Sequence, residues 1–244
     1  MKRTLTAIAY DILSTVRQLH DDSDIDIRLI KQWIKNSRSV WITNELNKFK
    51  PVPPDFIQDL GCADLVAEDV SLCGLNTCCK ILRTNLTMPV FLTAGSEPAI
   101  TRVGPTLLDR GSFRIIPYER VPFIGSGRYN QNSIYTFLYN EYIYVASNSN
   151  SFDFLGMRKI NIRGVLADPE DAARFVDGSG NLCYTDSSNY PITDRLVTYL
   201  KDIVIRTDIK IMLSLLPDKF NNASDDSGKQ QMPDSPQSNQ QQQQ

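Results

Sequence analysis

Apolar positions recur every three to four residues at both ends of the chain and every second residue through its middle. Residues 4 to 49 carry the helical spacing, residues 64 to 167 carry short alternating runs broken by Pro and Gly, and residues 192 to 216 return to the helical spacing. The first helix is predicted over residues 4 to 20, with Ile8, Ile12, Val16 and Leu19 on one face and Asp11, Ser14 and Arg17 on the other. The acidic run DDSDID at 21 to 26 supplies a turn and a helix start, because Asp and Ser side chains accept hydrogen bonds from first-turn N–H groups and suit the positive end of the dipole. A second helix follows from Asp24 to Lys48, with Ile27, Ile30, Ile34 and Trp41 on a stripe, Trp33 beside it, and a kink at Ser37 and Ser39. Pro51, Pro53 and Pro54 end it by removing donors and fixing φ. A helical hairpin cannot bury both stripes by itself, so it must pack on the β region or on a neighbouring subunit.

The middle reads as strands at 65–73, 79–84, 89–93 and 113–118, in a spacing that suits a sandwich or small barrel. Its clearest element is SIYTFLYNEYIYVAS at 133–147, two alternating stretches joined by a two-residue turn at Asn140 and Glu141. Tyr135, Phe137 and Tyr139 would share one face, and Tyr142 and Tyr144 a face of the return strand. KINIRGVLAD at 159–168 is a further strand, and residues 168 to 175 form a short helix with proline in the first turn. Thr193 is the predicted N-cap of the last helix, along which Leu196, Leu200, Ile203, Val204, Thr207, Ile211 and Leu215 form a stripe stopped by Pro217. The tail beyond it is polar and ends in glutamines, a composition that does not order in isolation. The expected fold class is therefore α+β: a helical hairpin at 1–50, a β-rich middle at 51–167, a C-terminal helical region at 168–216 packed with it, and a flexible tail at 217–244.

Composition narrows the chemistry. With 26 Lys and Arg against 28 Asp and Glu, the net charge of −2 gives no electrostatic footprint for general nucleic-acid binding. That favours ordinary cross-strand packing over a base-stacking platform for the hairpin aromatics. Tyr10, Asp11 and Arg17 interrupt the opening apolar stretch before a signal-peptide core forms, and no run approaches the ~20 apolar residues of a membrane span, so the chain reads as soluble and intracellular when made. Cys62, Cys73, Cys78 and Cys79 invite a zinc reading, but one is isolated and two are adjacent. That is not the paired spacing of a tetrahedral site, and with Cys183 they read as buried free thiols. The run at 21–26 lacks the glycine and distal glutamate of a calcium loop, and neither GSG segment has the pattern of a phosphate cradle. His20, the sole histidine, sits at a helix C-terminus where its charge complements the dipole rather than beside a nucleophile. No enzyme, cofactor or metal is expected; a zinc-dependent or carboxylate hydrolase is the distant alternative.

The opening helix followed by DDSDIDIRLIKQWIKNSR, then PPDFIQDLGCADLVAEDVSLC, CCKILRT with LTMPV, KINIRGVLADPEDAARF and the closing PDKFNNASDD, together resemble the ring or head-to-tail connector proteins of crAss-like and related short-tailed bacteriophages. The likeness runs over most of residues 5 to 226, and the tail beyond Ser227 is where this chain is expected to differ. The resemblance implies a structural virion subunit in the neck, a twelve-fold ring below the portal that extends the DNA channel and bridges portal to tail. It brings no catalytic residues. Its partners would be further copies of the chain, the portal protein and other ring or tail proteins, with DNA passing through unread and no membrane involved. Partner contacts are expected at Leu200, Ile203 and Leu215 on the last helix and at Pro217, Phe220, Asn221 and Asn222 after it. The alternative is a non-enzymatic cytoplasmic adaptor that binds one protein partner through the same helix and tail.

Overall fold

The computed structural model describes residues 3–19, 25–48, 51–68, 80–107, 111–124, 133–147 and 156–215. Helix α1 (Leu5–Leu19) forms because Leu5, Ile8, Ala9, Ile12, Leu13 and Val16 fall at three- and four-residue spacing and are all buried. Helix α2 (Ile27–Leu46) starts at Asp26, whose carboxylate accepts the Arg28 N–H at 2.8 Å. Its buried positions are Ile30, Ile34, Arg38, Ile42 and Leu46, one every four residues. No break in the helix accompanies the kink expected at Ser37 and Ser39. The helix is continuous, and the Ser39 hydroxyl donates outward to the Ala167 carbonyl at 2.9 Å instead of into its own turn.

Among the described residues nine strands follow: β1 (Gln58–Glu68), β2 (Lys80–Thr84), β3 (Thr93–Ala94), β4 (Glu97–Pro98), β5 (Ile100–Pro105), β6 (Arg114–Ile115), β7 (Ile134–Tyr139), β8 (Tyr142–Ser147) and β9 (Lys159–Gly164). Seven form one sheet in the order β5-β9-β1-β2-β8-β7-β6, antiparallel except for β6 with β7, and β3 and β4 make a separate pair. The two ends of the sheet approach each other, since the Phe113 N–H, one residue before β6, donates to the Val103 carbonyl of β5 at 2.8 Å. A single sheet curling towards a barrel thus replaces the alternative of a two-sheet sandwich. The reason is the helices: Leu60, Leu82, Ile143, Val145, Ile160 and Ile162 from the sheet share one buried cluster with the apolar faces of α1, α2 and the C-terminal helix. With helices covering that face, no second sheet is needed.

The β7–β8 turn is as the sequence pattern predicts. Asn140 and Glu141 have φ of 46° and 64°, the two left-handed residues of a tight hairpin. Phe137 faces Tyr144 across the strands with stacked rings 5.2 Å apart, and Tyr139 stacks on Tyr118 at 4.3 Å. Tyr118 belongs to the 3₁₀ turn Tyr118–Phe123, which roofs a second small cluster of Ile81, Val121, Phe137, Tyr144 and Ala146 on the other face of the sheet. The hairpin aromatics are therefore engaged with one another.

Several strands differ from the expectation: the run at 89–93 carries one isolated bridge, Phe91 to Leu166, before β3 begins at Thr93, and the run at 113–118 narrows to the two residues of β6, while bulges account for the differences at β1 and β5. β1 begins at Gln58 rather than at 65, because its register shifts between Asp59 and Cys62 where Gly61 takes φ +64°, so its first half reads like a turn. β5 shifts register between Ile100 and Arg102, which sets its apolar residues Ile100 and Val103 three apart and breaks the alternation.

Candidate assembly surfaces

The C-terminal helix starts as α3 (Asp194–Ile203), where the Thr193 hydroxyl accepts the Leu196 N–H at 3.3 Å, as the sequence predicts. It passes through a π-helical segment, Val204–Ile209, into α4 (Lys210–Leu215). The widened turn explains where the expected stripe fails. Leu196, Leu200 and Val204 do face inward, but the next inward residue is Ile209, five positions on, instead of Thr207. Thr207 is exposed and Ile211 is 54% exposed as a result. Beside them Tyr199 is 49% exposed and Ile203 half-buried. An exposed apolar set of Tyr199, Ile203 and Ile211 therefore lies along one flank of the helix, beside its inward face.

The partner contacts expected from sequence separate accordingly. Leu200 is fully buried in the chain's own core and leaves a partner nothing to touch, because it lies on the inward side with Leu196 and Val204. Ile203 sits at the border of the exposed set. Leu215 closes α4, and Pro217, Phe220, Asn221 and Asn222 lie outside the described residues. So do Cys73, Cys78, Cys79 and His20, which the zinc and histidine readings need. Cys62 and Cys183 are free thiols, and burial, with the charges of Asp59, Asp177 and Cys62 added, pushes the Cys183 pKa up to about 11. No group of three or more His, Cys, Asp or Glu able to hold a metal ion occurs among the described residues, and no helix among them is long and apolar enough to cross a membrane.

The C-terminal helix is held in place by polar ties that sequence patterning does not single out. Lys201 pairs with Asp11 of α1, and Arg3 with Asp194 at 3.4 Å, while the Tyr190 N–H donates to the Arg3 carbonyl at 2.9 Å. Deeper, Arg38 donates from Nε to the Pro191 carbonyl and from Nη1 to the Leu166 carbonyl, both at 2.9 Å. One turn earlier, Lys35 bridges Asp168 at 2.9 Å and Glu170 at 2.6 Å. Partial burial pulls its pKa down, but hydrogen bonds and charge from Glu170 and Asp168 outweigh that and leave it raised. Helix α2 is thereby clamped to the segments on either side of the 3₁₀ turn Pro169–Arg174, whose N-cap is Asp168. The one signal for this clamp in the sequence is that Arg38 falls at the midpoint of the four-residue series from Ile30 to Leu46.

The second surface is concave. Between the ends of the curled sheet lies an open cleft of about 700 Å³, with Ile100 and Val103 on one wall and Ile115, Pro117, Leu138 and Ile143 on the other. Ile115 falls within the expected run at 113–118; the β5 wall was not legible because of its bulge.

Comparison with known proteins gives these surfaces a setting. The sequence model of a family described as phage tail ring protein 2 matches residues 7–227, which leaves the glutamine-rich end outside the match. A protein named ring protein 2 from Bacteroides phage crAss001 is 23% identical over 228 residues, an alignment covering 91% of this chain and 97% of the relative.

Proposed function

The chain belongs to the phage tail ring protein 2 family, and from that premise we propose that it is a connector subunit, twelve copies of which close into a ring below the portal and extend the DNA channel towards the tail. The family is one of structural, tail-associated virion proteins. The observation that supports the finer reading is the exposed apolar set of Tyr199, Ile203 and Ile211 along one flank of the C-terminal helix, of which Ile211 is displaced from the inward stripe by the π segment. A surface of this kind on each copy, meeting a different surface on the next, generates a closed ring when the rotation closes. In this reading the contact continues from Leu215 into Pro217, Phe220, Asn221 and Asn222, and the helical ends form the assembly layer around the β-rich middle. Portal and neighbouring ring or tail proteins are the partners above and below, and DNA passes without base readout. Native mass measurement of the purified chain tests this: a closed species near twelve times the 27.6 kDa chain mass is expected. A chain that stays monomeric up to high concentration and captures a single host protein would replace the ring with the adaptor reading.

A further inference from the structure

We infer that the C-terminal helix of one copy docks side-on over the cleft of the next, with Tyr199 seated on the apolar lining and Arg195 against the carboxylates of Glu97 and Glu119. The inference rests on the ring reading and names the surface that the helix flank would meet. The chemistry of the cleft is one-sided. Its lining is apolar at Ile100, Val103, Ile115, Leu138 and Ile143, and the charged residues among it are Glu97 and Glu119. Glu97 opens β4, three residues before Ile100 on one wall, and Glu119 lies in the 3₁₀ turn Tyr118–Phe123, two residues after Pro117 on the other. Both are exposed, and neither carboxylate is held by a hydrogen bond or ion pair among the described residues. Arg102 and Arg114, each next in sequence to a lining residue, have partners of their own and do not line the cleft. Such a lining selects a cationic head on an apolar body.

The helix flank has that character. Arg195 and Tyr199 lie one turn apart on α3, with Ile203 a further turn on. Arg195 is exposed and has no ion pair among the described residues, and Tyr199 is half-exposed. The acidic residues of the same helix are already engaged, Asp194 with Arg3 and Asp202 with Arg206. Tyr and Arg are side chains that commonly anchor interfaces. Laying a helix flank into a groove is a recurrent recognition mode that uses side chains, so the hydrogen bonds of the sheet stay as they are. A helix with its side chains is about 10–12 Å across, so it rides on the rim while Tyr199 and Ile203 enter the cleft of about 700 Å³. Apolar burial then supplies the affinity, and the charges fix the orientation. Donor and acceptor are different surfaces, one on the helical layer and one between the sheet ends, so the contact is head-to-tail, the kind a ring requires.

The test exchanges the charges on the full chain. Arg195→Glu, and separately Glu97→Arg with Glu119→Arg, should each lower the ring fraction in native mass spectra about tenfold or more. The melting temperature should stay unchanged, because all three positions are exposed. Mixed one to one, the two variants should close rings again in alternation, since each reversed surface then meets its opposite. Tyr199→p-benzoylphenylalanine in an otherwise parental chain, irradiated after mixing with an isotope-labelled copy, should cross-link between copies into residues 97–103 or 115–119. That cross-link decides the matter where a reversed variant fails to fold. Rings indifferent to both reversals, mixtures that stay open, or cross-links to other elements overturn the inference. In those cases a parent that still closes rings keeps the ring reading, whereas a monomeric parent removes both.

Discussion

The Arg38 guanidinium lies over the ring of Tyr190, 5.6 Å from its centroid, in the interior of the subunit. Burial disfavours the charged form, and proximity to Tyr190, Asp168 and Tyr184 acts in the opposite direction. The charge is tolerated because two main-chain carbonyls and an aromatic face replace water. This arrangement couples α2 to the segment that leads into α3, and so sets the position of the exposed helix flank.

Replacing Arg38 by Met keeps the volume but strips the donors from Leu166 and Pro191. Each buried carbonyl left without a donor costs about 1–3 kcal/mol, so with two of them the free energy of unfolding should fall by roughly 2–6 kcal/mol. Arg38→Lys should fall between parent and Met, since one ammonium cannot present the guanidinium fork to both carbonyls. Urea unfolding followed by circular dichroism measures this; a Met variant as stable as the parent would show that the clamp contributes nothing.

Gly61 and Gly95 offer a paired test of the bulge in β1. Both sit near φ +63°, which costs a residue with a Cβ about 1–2 kcal/mol. At Gly95 nothing lies within 4 Å of the added carbon, so Gly95→Ala should show that penalty alone. At Gly61 the carbon would lie 2.5 Å from the Val176 carbonyl oxygen and 2.8 Å from the Asp177 Cα, both backbone atoms. Gly61→Ala should therefore lower thermal stability distinctly more than Gly95→Ala, and equal losses would refute the close approach.

The Cys183 thiol should resist alkylation. Its pKa of about 11 stands above the ordinary 9.0, chiefly because burial disfavours the thiolate. The folded state therefore holds the proton more tightly than the unfolded one. The resulting stabilisation is full below pH 9 and is lost as pH rises towards 11. At pH 8 the thiolate fraction is roughly a hundredfold below that of an ordinary thiol. Iodoacetamide labelling read by peptide mass spectrometry should be slow at Cys183 in the native protein and fast in urea.

What could be read from the sequence divides along physical lines. The Asn140–Glu141 hairpin and the Thr193 cap were legible because a local pattern and a local hydrogen bond fix each of them. The α+β architecture followed from periodicity alone. The first half of β1 and the β5 wall of the cleft were not legible, because bulges break the two-residue period on which strand reading depends. The exposure of Thr207 and Ile211 was hidden for the same kind of reason: the stripe was drawn at 3.6 residues per turn, and the π segment inserts a wider one. Arg38 was missed because a charged residue within an apolar series reads as an interruption, when it is the tie itself.

That shift of register makes the assembly surface separable from the core by mutation. Leu200 faces inward and is fully buried, so Leu200→Ala should destabilise the isolated chain by about 2–5 kcal/mol, whatever its effect on assembly. Tyr199 and Ile211 are about half exposed, and substitutions at such positions away from special features usually change stability by no more than about 0.5 kcal/mol each. Tyr199→Ser combined with Ile211→Ser should therefore leave the melting temperature of the monomer nearly unchanged while reducing the assembled fraction in native mass spectra. Ile203→Ser, at the border, should affect both. If the Tyr199 and Ile211 pair assembles like the parent, the exposed flank of the helix is not the contact, and ring closure must rest on the sheet instead.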